Sequence, residues 1–178
     1  MEIILIRHAK VNYRYKKMYR HFEYDNACKE YDESPVSVTP DYKCHCIADA
    51  IYVSSLQRTH HTAELILPDK KYVESNLFDE VPIRSFAKLP FPMPTMLWFF
   101  IGRLQWLFGL RRQPETKQDT EIRAQKAADV LERESGPIIV ICHGVFMRML
   151  VREFKNRGYS MKGKATYKNL DEICLYKP

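Results

Sequence analysis

The chain has 178 residues, of which 46% are hydrophobic and 28% charged, and its formal net charge is +6. That is one domain's worth of chain with enough apolar content for a buried core, which argues against a disordered segment or a small disulfide-stapled module. The positive balance favours acidic partners, phosphorylated small molecules among them, without choosing one.

In chain order, residues 3–6 (Ile-Ile-Leu-Ile) form an apolar, β-branched run that reads as a buried, central strand and ends in Arg7-His8. Residues 11–33 are polar and tyrosine-rich and read as a long surface loop or irregular helix. Thr39-Pro40 opens a helix expected to run to about Asp49. Residues 51–53 are a second strand, and Ser55 is placed to cap a helix over 56–67. Tyr72-Val73 is a third, short strand. The prolines at 82, 90, 92 and 94 exclude regular helix over 79–94. Residues 95–108 read as an amphipathic helix with an aromatic face, stopped by Gly109. A long helix covers 116–134, a strongly buried strand 138–142, a helix 145–155 and a last strand 173–176. Strands alternate with helices, which predicts an α/β fold: a three-layer αβα sandwich with a mostly parallel central sheet. The whole chain, 1–178, is expected to be one domain, with a cap or insertion at about 78–112.

The five cysteines, Cys28, Cys44, Cys46, Cys142 and Cys174, are an odd number and a poor disulfide framework, and residues 1–6 lack the basic start of a secretory signal. Both favour a cytoplasmic setting. The most apolar stretch, 96–110, is shorter than the ~20 residues of a membrane span and carries Arg103 and Gln105.

In open α/β sheets, ligands bind beyond the carboxyl ends of the strands. Arg7-His8, Ser54-Ser55 with Arg58, and His143-Gly144 stand at those exits. A neutral imidazole can attack phosphorus. Arginine forks suit the charged phosphoryl oxygens. Three motifs in order then resemble the histidine phosphatase superfamily, the phosphoglycerate mutase-like fold. They are Ile6-Arg7-His8-Ala9, the run Ser54-Ser55-Leu56-Gln57-Arg58-Thr59-His60-His61-Thr62-Ala63, and the strand ending Cys142-His143-Gly144. The resemblance implies a histidine acid phosphatase-type phosphomonoesterase with His8 as the nucleophile. Arg7, Arg58 and His143 would bind the phosphoryl group, and Glu80 (Asp79 as the alternate) would be the proton donor. It implies no metal and no organic cofactor. The partner is a phosphorylated small molecule, with no nucleic acid and no membrane. Ala9 departs from the family's glycine. Lys10-Val11-Asn12-Tyr13-Arg14 departs from the mutase branch, which favours hydrolysis over phosphoglycerate mutase-like phosphotransfer.

Three rival readings remain. Cys142 and Arg148 have the Cys-x5-Arg spacing of cysteine-dependent phosphatases, but Val145, Phe146 and Met147 between them suit a packed helix. Cys44-His45-Cys46 and His60-His61 invite a metal, although adjacent and alternate helix positions diverge. A non-catalytic phosphate- or anion-binding module is the third, in which Lys16, Lys17, Arg20, Arg111 and Arg112 would make a basic surface for nucleic acid or lipid and the aromatic helix a membrane-surface or partner face. The aromatic helix is expected to be core or to cover the pocket.

Overall fold

The apolar run near the amino terminus becomes the strand around which everything else is built. A computed structural model of the chain describes residues 1–37, 42, 44, 47–163 and 166–177. In chain order the elements are β1 (Glu2–Arg7), β2 (Met18–Tyr19), α1 (His21–Glu33), β3 (Ala50–Val53), α2 (Gln57–Ile66), β4 (Val73–Glu74), β5 (Met93–Pro94), α3 (Thr95–Leu107), α4 (Lys117–Leu131), β6 (Ile138–Cys142), α5 (Gly144–Asn156), β7 (Ser160–Lys162) and β8 (Glu172–Tyr176).

Six strands form one sheet in the order β4-β3-β6-β1-β8-β7. The pairings from β4 to β1 are parallel and the two on the β8 side are antiparallel. The two-residue side-chain period sorts the core into two layers. Ile3, Leu5, Ile138 and Val140 face α4 and α5, meeting Ala124, Ala128, Phe146 and Leu150. Ile4, Ile6, Ile139 and Ile141 face the other way, onto Ala63 and Ile66 of α2. Each such side chain stabilises the fold by about 1.5–3 kcal/mol when fully buried. Helices therefore cover both faces, and the expected αβα sandwich with a mostly parallel sheet is the observed fold.

Local chemistry explains the helix ends. The Thr116 hydroxyl accepts from the Asp119 amide while the Asp119 carboxylate accepts from the Thr116 amide, a reciprocal cap that starts α4. At the end of α3, Gly109 takes φ 69°. Its amide reaches the Trp106 carbonyl and the Leu110 amide the Gln105 carbonyl, a glycine-terminated stop.

Several expectations need correction. Residues 21–33 form a regular helix, α1, not an irregular surface segment. Tyr24, Ala27, Cys28 and Tyr31 recur at helical spacing and turn inward, onto an aromatic cluster centred on Trp98. Ser55 does not cap α2. Leu56 occupies that position, its amide bonded to the Ser54 hydroxyl, while Ser55 donates to Asp79. The first strand candidate after α2 shifts by one residue, to Val73–Glu74, which pairs with Tyr52 and Val53. The β2–β5 ribbon and β7 were not anticipated. The helix expected from Thr39 starts outside the described residues.

The ribbon joins two stretches far apart in sequence. Tyr19 pairs with Met93, the Thr95 amide donates to the Lys17 carbonyl, and Trp98 Nε1 donates to the Tyr19 carbonyl at 3.0 Å. Residues 11–33 and 81–114 thus build a flank beside the sandwich, with an aromatic core of its own.

Candidate active site

The parallel strands β1, β3 and β6 all end at one edge of the sheet, and a cavity of about 1130 Å³ opens there. Arg7, His8, Arg58, Asp79 and Glu80 line it, as do Tyr15, Tyr31 and Phe99 from the flank. The structure brings the sequence-predicted residues together from four separate elements.

His8 follows β1 and is almost wholly buried. Its Nδ1 lies 2.7 Å from the Ala9 carbonyl, an acceptor only, so Nδ1 carries the proton and Nε2 holds the lone pair. Burial, then the positive charge of Arg58 and of Arg7, pushes its pKa down to about 3. The Ala9 hydrogen bond opposes the shift without cancelling it. At neutral pH His8 is uncharged, the form that can act as a nucleophile. The backbone around it is fixed from two sides. Asn169 Nδ2 donates to the His8 carbonyl, and the Ala9 amide donates to the Thr62 hydroxyl. Ala9 has no positive φ and is buried, so alanine fits where the family has glycine.

Arg58 is fully enclosed at the start of α2. Its Nη1 donates to Asp32 at 2.6 Å and its guanidinium stands 5.3 Å over the Tyr31 ring. Its Nε donates to His143 Nδ1 at 3.1 Å. The proton of His143 is therefore on Nε2, which donates to the Ser54 hydroxyl at 2.7 Å. Burial first, then Arg58, holds the pKa of His143 well below the ordinary imidazole value. The two histidine rings are 5.0 Å apart. Both nitrogens of His143 are engaged by protein groups, so a direct contact with a phosphoryl oxygen requires one of those bonds to be exchanged.

Arg7 has a different environment. Nη1 donates to the Tyr167 carbonyl, while Nε is buried and, among the described residues, has no hydrogen-bond partner. An unpaired buried guanidinium N–H costs free energy unless something accepts from it. The guanidinium lies flat against the first residue of α5: a side-chain carbon at Gly144 would sit 3.1 Å from Arg7 Cζ and Nε. Glycine after His143 thus makes room for the arginine.

The two candidate acids have separate anchors. Asp79 accepts from the amide and hydroxyl of Ser55. Glu80 accepts from the amides of Val145 and Phe146 at 3.2 and 3.0 Å, the free N–H groups at the start of α5. That anchorage ties Glu80 to the turn that carries His143. Arg123 fixes the strap below them, donating to the Leu77 and Asp79 carbonyls and pairing with Glu115.

Sequence reasoning missed Asp32 and Tyr31, which hold Arg58 from α1. Burial raises the Asp32 pKa and Arg58 opposes that rise. The inward spacing of Tyr24, Ala27, Cys28 and Tyr31 was the available signal. The cysteine-phosphatase geometry does not form. Burial pushes the Cys142 thiol up to about 12, the side chain packs in the core, and Arg148 stands over the Tyr167 ring instead. Among the described residues no group of three or more His, Cys, Asp or Glu is arranged to hold a metal ion. His45 and Cys46 lie outside them. His60 pairs with Glu74 at 3.2 Å.

Known proteins agree with this arrangement at the level of fold and family. Mycobacterial glucosyl-3-phosphoglycerate phosphatase superposes with a TM-score of 0.57 at 13% identity, over 98% of this chain and 89% of its own. A mutant phosphoserine phosphatase of Entamoeba histolytica in complex with phosphoserine gives 0.56 at 16% identity, covering 97% and 89%. The α-ribazole phosphatase of Shigella flexneri gives 0.56 at 17%, covering 85% and 78%. No curated protein matches the chain in sequence. The family model described as histidine phosphatase superfamily (branch 1) matches residues 3–172, and the chain belongs to that superfamily.

Proposed function

We propose that this protein hydrolyses a phosphomonoester of a small molecule through a phosphohistidine on His8. The observation that carries the reading is the His8 ring: Nδ1 is tied to a carbonyl, and the neutral Nε2 is left as nucleophile beside two arginines. In the first step Nε2 forms a bond to phosphorus as the bond to the leaving oxygen breaks. Glu80 protonates that oxygen. In the second step water attacks phosphorus, Glu80 takes its proton, and the N–P bond breaks to release phosphate. Arg7 and Arg58 hold the phosphoryl oxygens in both steps, and the unpaired Nε of Arg7 supports that role. His143 frames the site from behind and contacts the phosphoryl group once a ring bond is exchanged. Glu80 is preferred to Asp79 because its anchor is the amide pair just after His143-Gly144.

The stretch 78–112 acts as a cap. Ile83, Arg84, Phe99 and Arg103 line the far side of the cavity, where the leaving group would sit. The cavity is much larger than a phosphoryl group needs, so the substrate carries a sizeable organic part.

The test uses turnover of a phosphomonoester panel together with intact-mass detection of an acid-labile phosphoryl adduct after rapid quenching. His8→Ala removes both, lowering turnover on the order of 10⁴-fold or more. Glu80→Gln slows alkyl phosphates far more than p-nitrophenyl phosphate, whose leaving group needs no proton. Equal turnover by wild type and His8→Ala, or an adduct that persists in the variant, refutes the mechanism. An alkyl-selective loss in Asp79→Asn but not Glu80→Gln reassigns the acid.

A further inference from the structure

α3 is built inside out. Its polar side chains turn inward: Arg103 donates from both terminal nitrogens to the Val81 carbonyl, and Gln105 donates to the Phe86 carbonyl. Gly102 is buried against Ile83. The outward face is apolar. Met96, Phe100 and Phe108 are 76%, 62% and 72% exposed, and Leu97 and Leu107 are exposed beside them. These positions share one side of the helix. Phe91 and Leu110 extend the face at its two ends, and Met18 adds to it across the β2–β5 ribbon. The expectation that the aromatic helix is core or covers the pocket describes its inner side, where Trp98 is fully buried and Phe99 and Arg103 line the cavity.

Charge divides the flank: α1 carries Glu23, Asp25, Glu30, Asp32 and Glu33, whereas the segments that adjoin α3 are basic. Residues 10–22 and 81–114 together hold ten of the chain's 28 Lys and Arg and none of its 22 Asp and Glu. The remainder of the chain is net acidic. Arg14, Lys16, Lys17, Arg20, Lys88 and Arg111 are exposed in these segments. Thr95 donates from its hydroxyl to the Lys16 carbonyl and from its amide to the Lys17 carbonyl, which sets those lysines at the start of α3, and Arg111 follows its end. An apolar outward stripe with Lys16 and Lys17 at its start and Arg111 past its end, and with Asp119 and Glu121 of α4 near Leu107 and Phe108, suits a surface that lies on an anionic bilayer by its cationic end. A symmetric contact between two copies through this face would bring like charges together. A 13-residue helix is too short to cross a membrane, and none of the described helices is long and apolar enough to do so.

We infer that the α3 face docks the protein peripherally on anionic lipid, with Phe100 and Phe108 entering the acyl boundary and the lysines and arginines contacting headgroups. Phe99 and Arg103 of the same helix line the catalytic cavity, so docking brings the cavity close to the bilayer surface. The inference stands on the surface alone and does not need the phosphatase reading.

The test is flotation of the purified protein with vesicles of phosphatidylcholine alone and of phosphatidylcholine mixed with phosphatidylglycerol. The protein is expected to float with the mixed vesicles only and to be released by high salt. Lys16→Ala with Lys17→Ala weakens that partition roughly 30-fold, and Phe100→Glu with Phe108→Glu removes it. Circular dichroism melts, unchanged in both double variants, confirm that the fold is intact. Failure of the wild type to float with mixed vesicles overturns the inference, as does equal flotation with neutral ones. Self-association in sedimentation that Phe100→Glu with Phe108→Glu abolishes also overturns it, assigning the face to a second copy.

Discussion

At the carboxyl edge of the sheet, buried polar atoms are answered by protein partners, whereas the outer side of α3 leaves large apolar side chains facing outward. His143 has both nitrogens engaged, Arg58 is held at three points, and Arg7 Nε has no hydrogen-bond partner among the described residues. Around α3, nine of the fifteen large hydrophobic residues exposed among the described residues fall within 10–22 and 81–114. On the proposed mechanism the first region is preorganised, its groups already placed where developing charge would need them. The second departs from ordinary surface composition without a compensating contact among the described residues, and a departure of that kind belongs to a surface with a partner. One helix serves both, since its inner side walls the cavity and its outer side faces away.

The comparison can be tested most severely at Trp98, where the inner side of α3 is fixed. Trp98→Ala removes a fully buried ring stacked on Tyr24 and a hydrogen bond to the Tyr19 carbonyl. It should cost about 3–5 kcal/mol in urea unfolding. A loss below about 1 kcal/mol would mean that the flank is not packed as a unit.

Acidification probes the preorganised region. The folded pKa of His8 is about 3 and its ordinary value 6.5. The unfolded chain therefore takes up this proton first. The stability due to a neutral, buried His8 is complete above pH 6.5 and is lost as pH falls toward 3. His143 acts in the same direction. Each contributes a slope of at most about 1.4 kcal/mol per pH unit. His8→Asn should flatten the fall of melting temperature across that window, and an unchanged slope would show that His8 is hydrated.

Gly144→Ala is a smaller and more local change. The added carbon meets the Arg7 guanidinium at 3.1 Å, so Arg7 must shift while the helix itself gains a better former. Turnover should fall about tenfold to a hundredfold with stability nearly unchanged. Wild-type turnover would remove Arg7 from the phosphoryl site. Smallest of all, Phe108→Ser on the outer face should alter stability by under about 0.5 kcal/mol. A larger loss would show that the stripe supports the fold itself.

Much of the molecule was readable along the chain because the signals were local. Ile3–Ile6 and Ile138–Cys142 are apolar runs with no interruption, and strands buried on both faces have that composition. Thr116 with Asp119, and Gly109, mark helix ends by chemistry that acts within a few residues. His8, Arg58, His143 and Glu80 stand at strand exits or just beyond them, so fold class and cavity follow from order. The α1 helix was obscured because its inward positions are tyrosines and a cysteine among charges, and the burial of Tyr24 depends on Trp98, more than seventy residues away. Ser55 looked like a cap because a hydroxyl before a helix usually is one; a carboxylate from Asp79 claims it instead.

By itself, then, the sequence determined the parallel strands, the helical layers, the family and His8, Arg58 and Glu80 at the cavity, since alternation, caps and ordered motifs are properties of neighbouring residues. Tertiary structure decided the rest. It set the tautomers of His8 and His143, the anchor of Glu80 at α5, the hold of Asp32 on Arg58, and which side of α3 faces outward. These depend on atoms brought together from distant parts of the chain, and a hydrogen bond or a buried face exists only once both partners are in place.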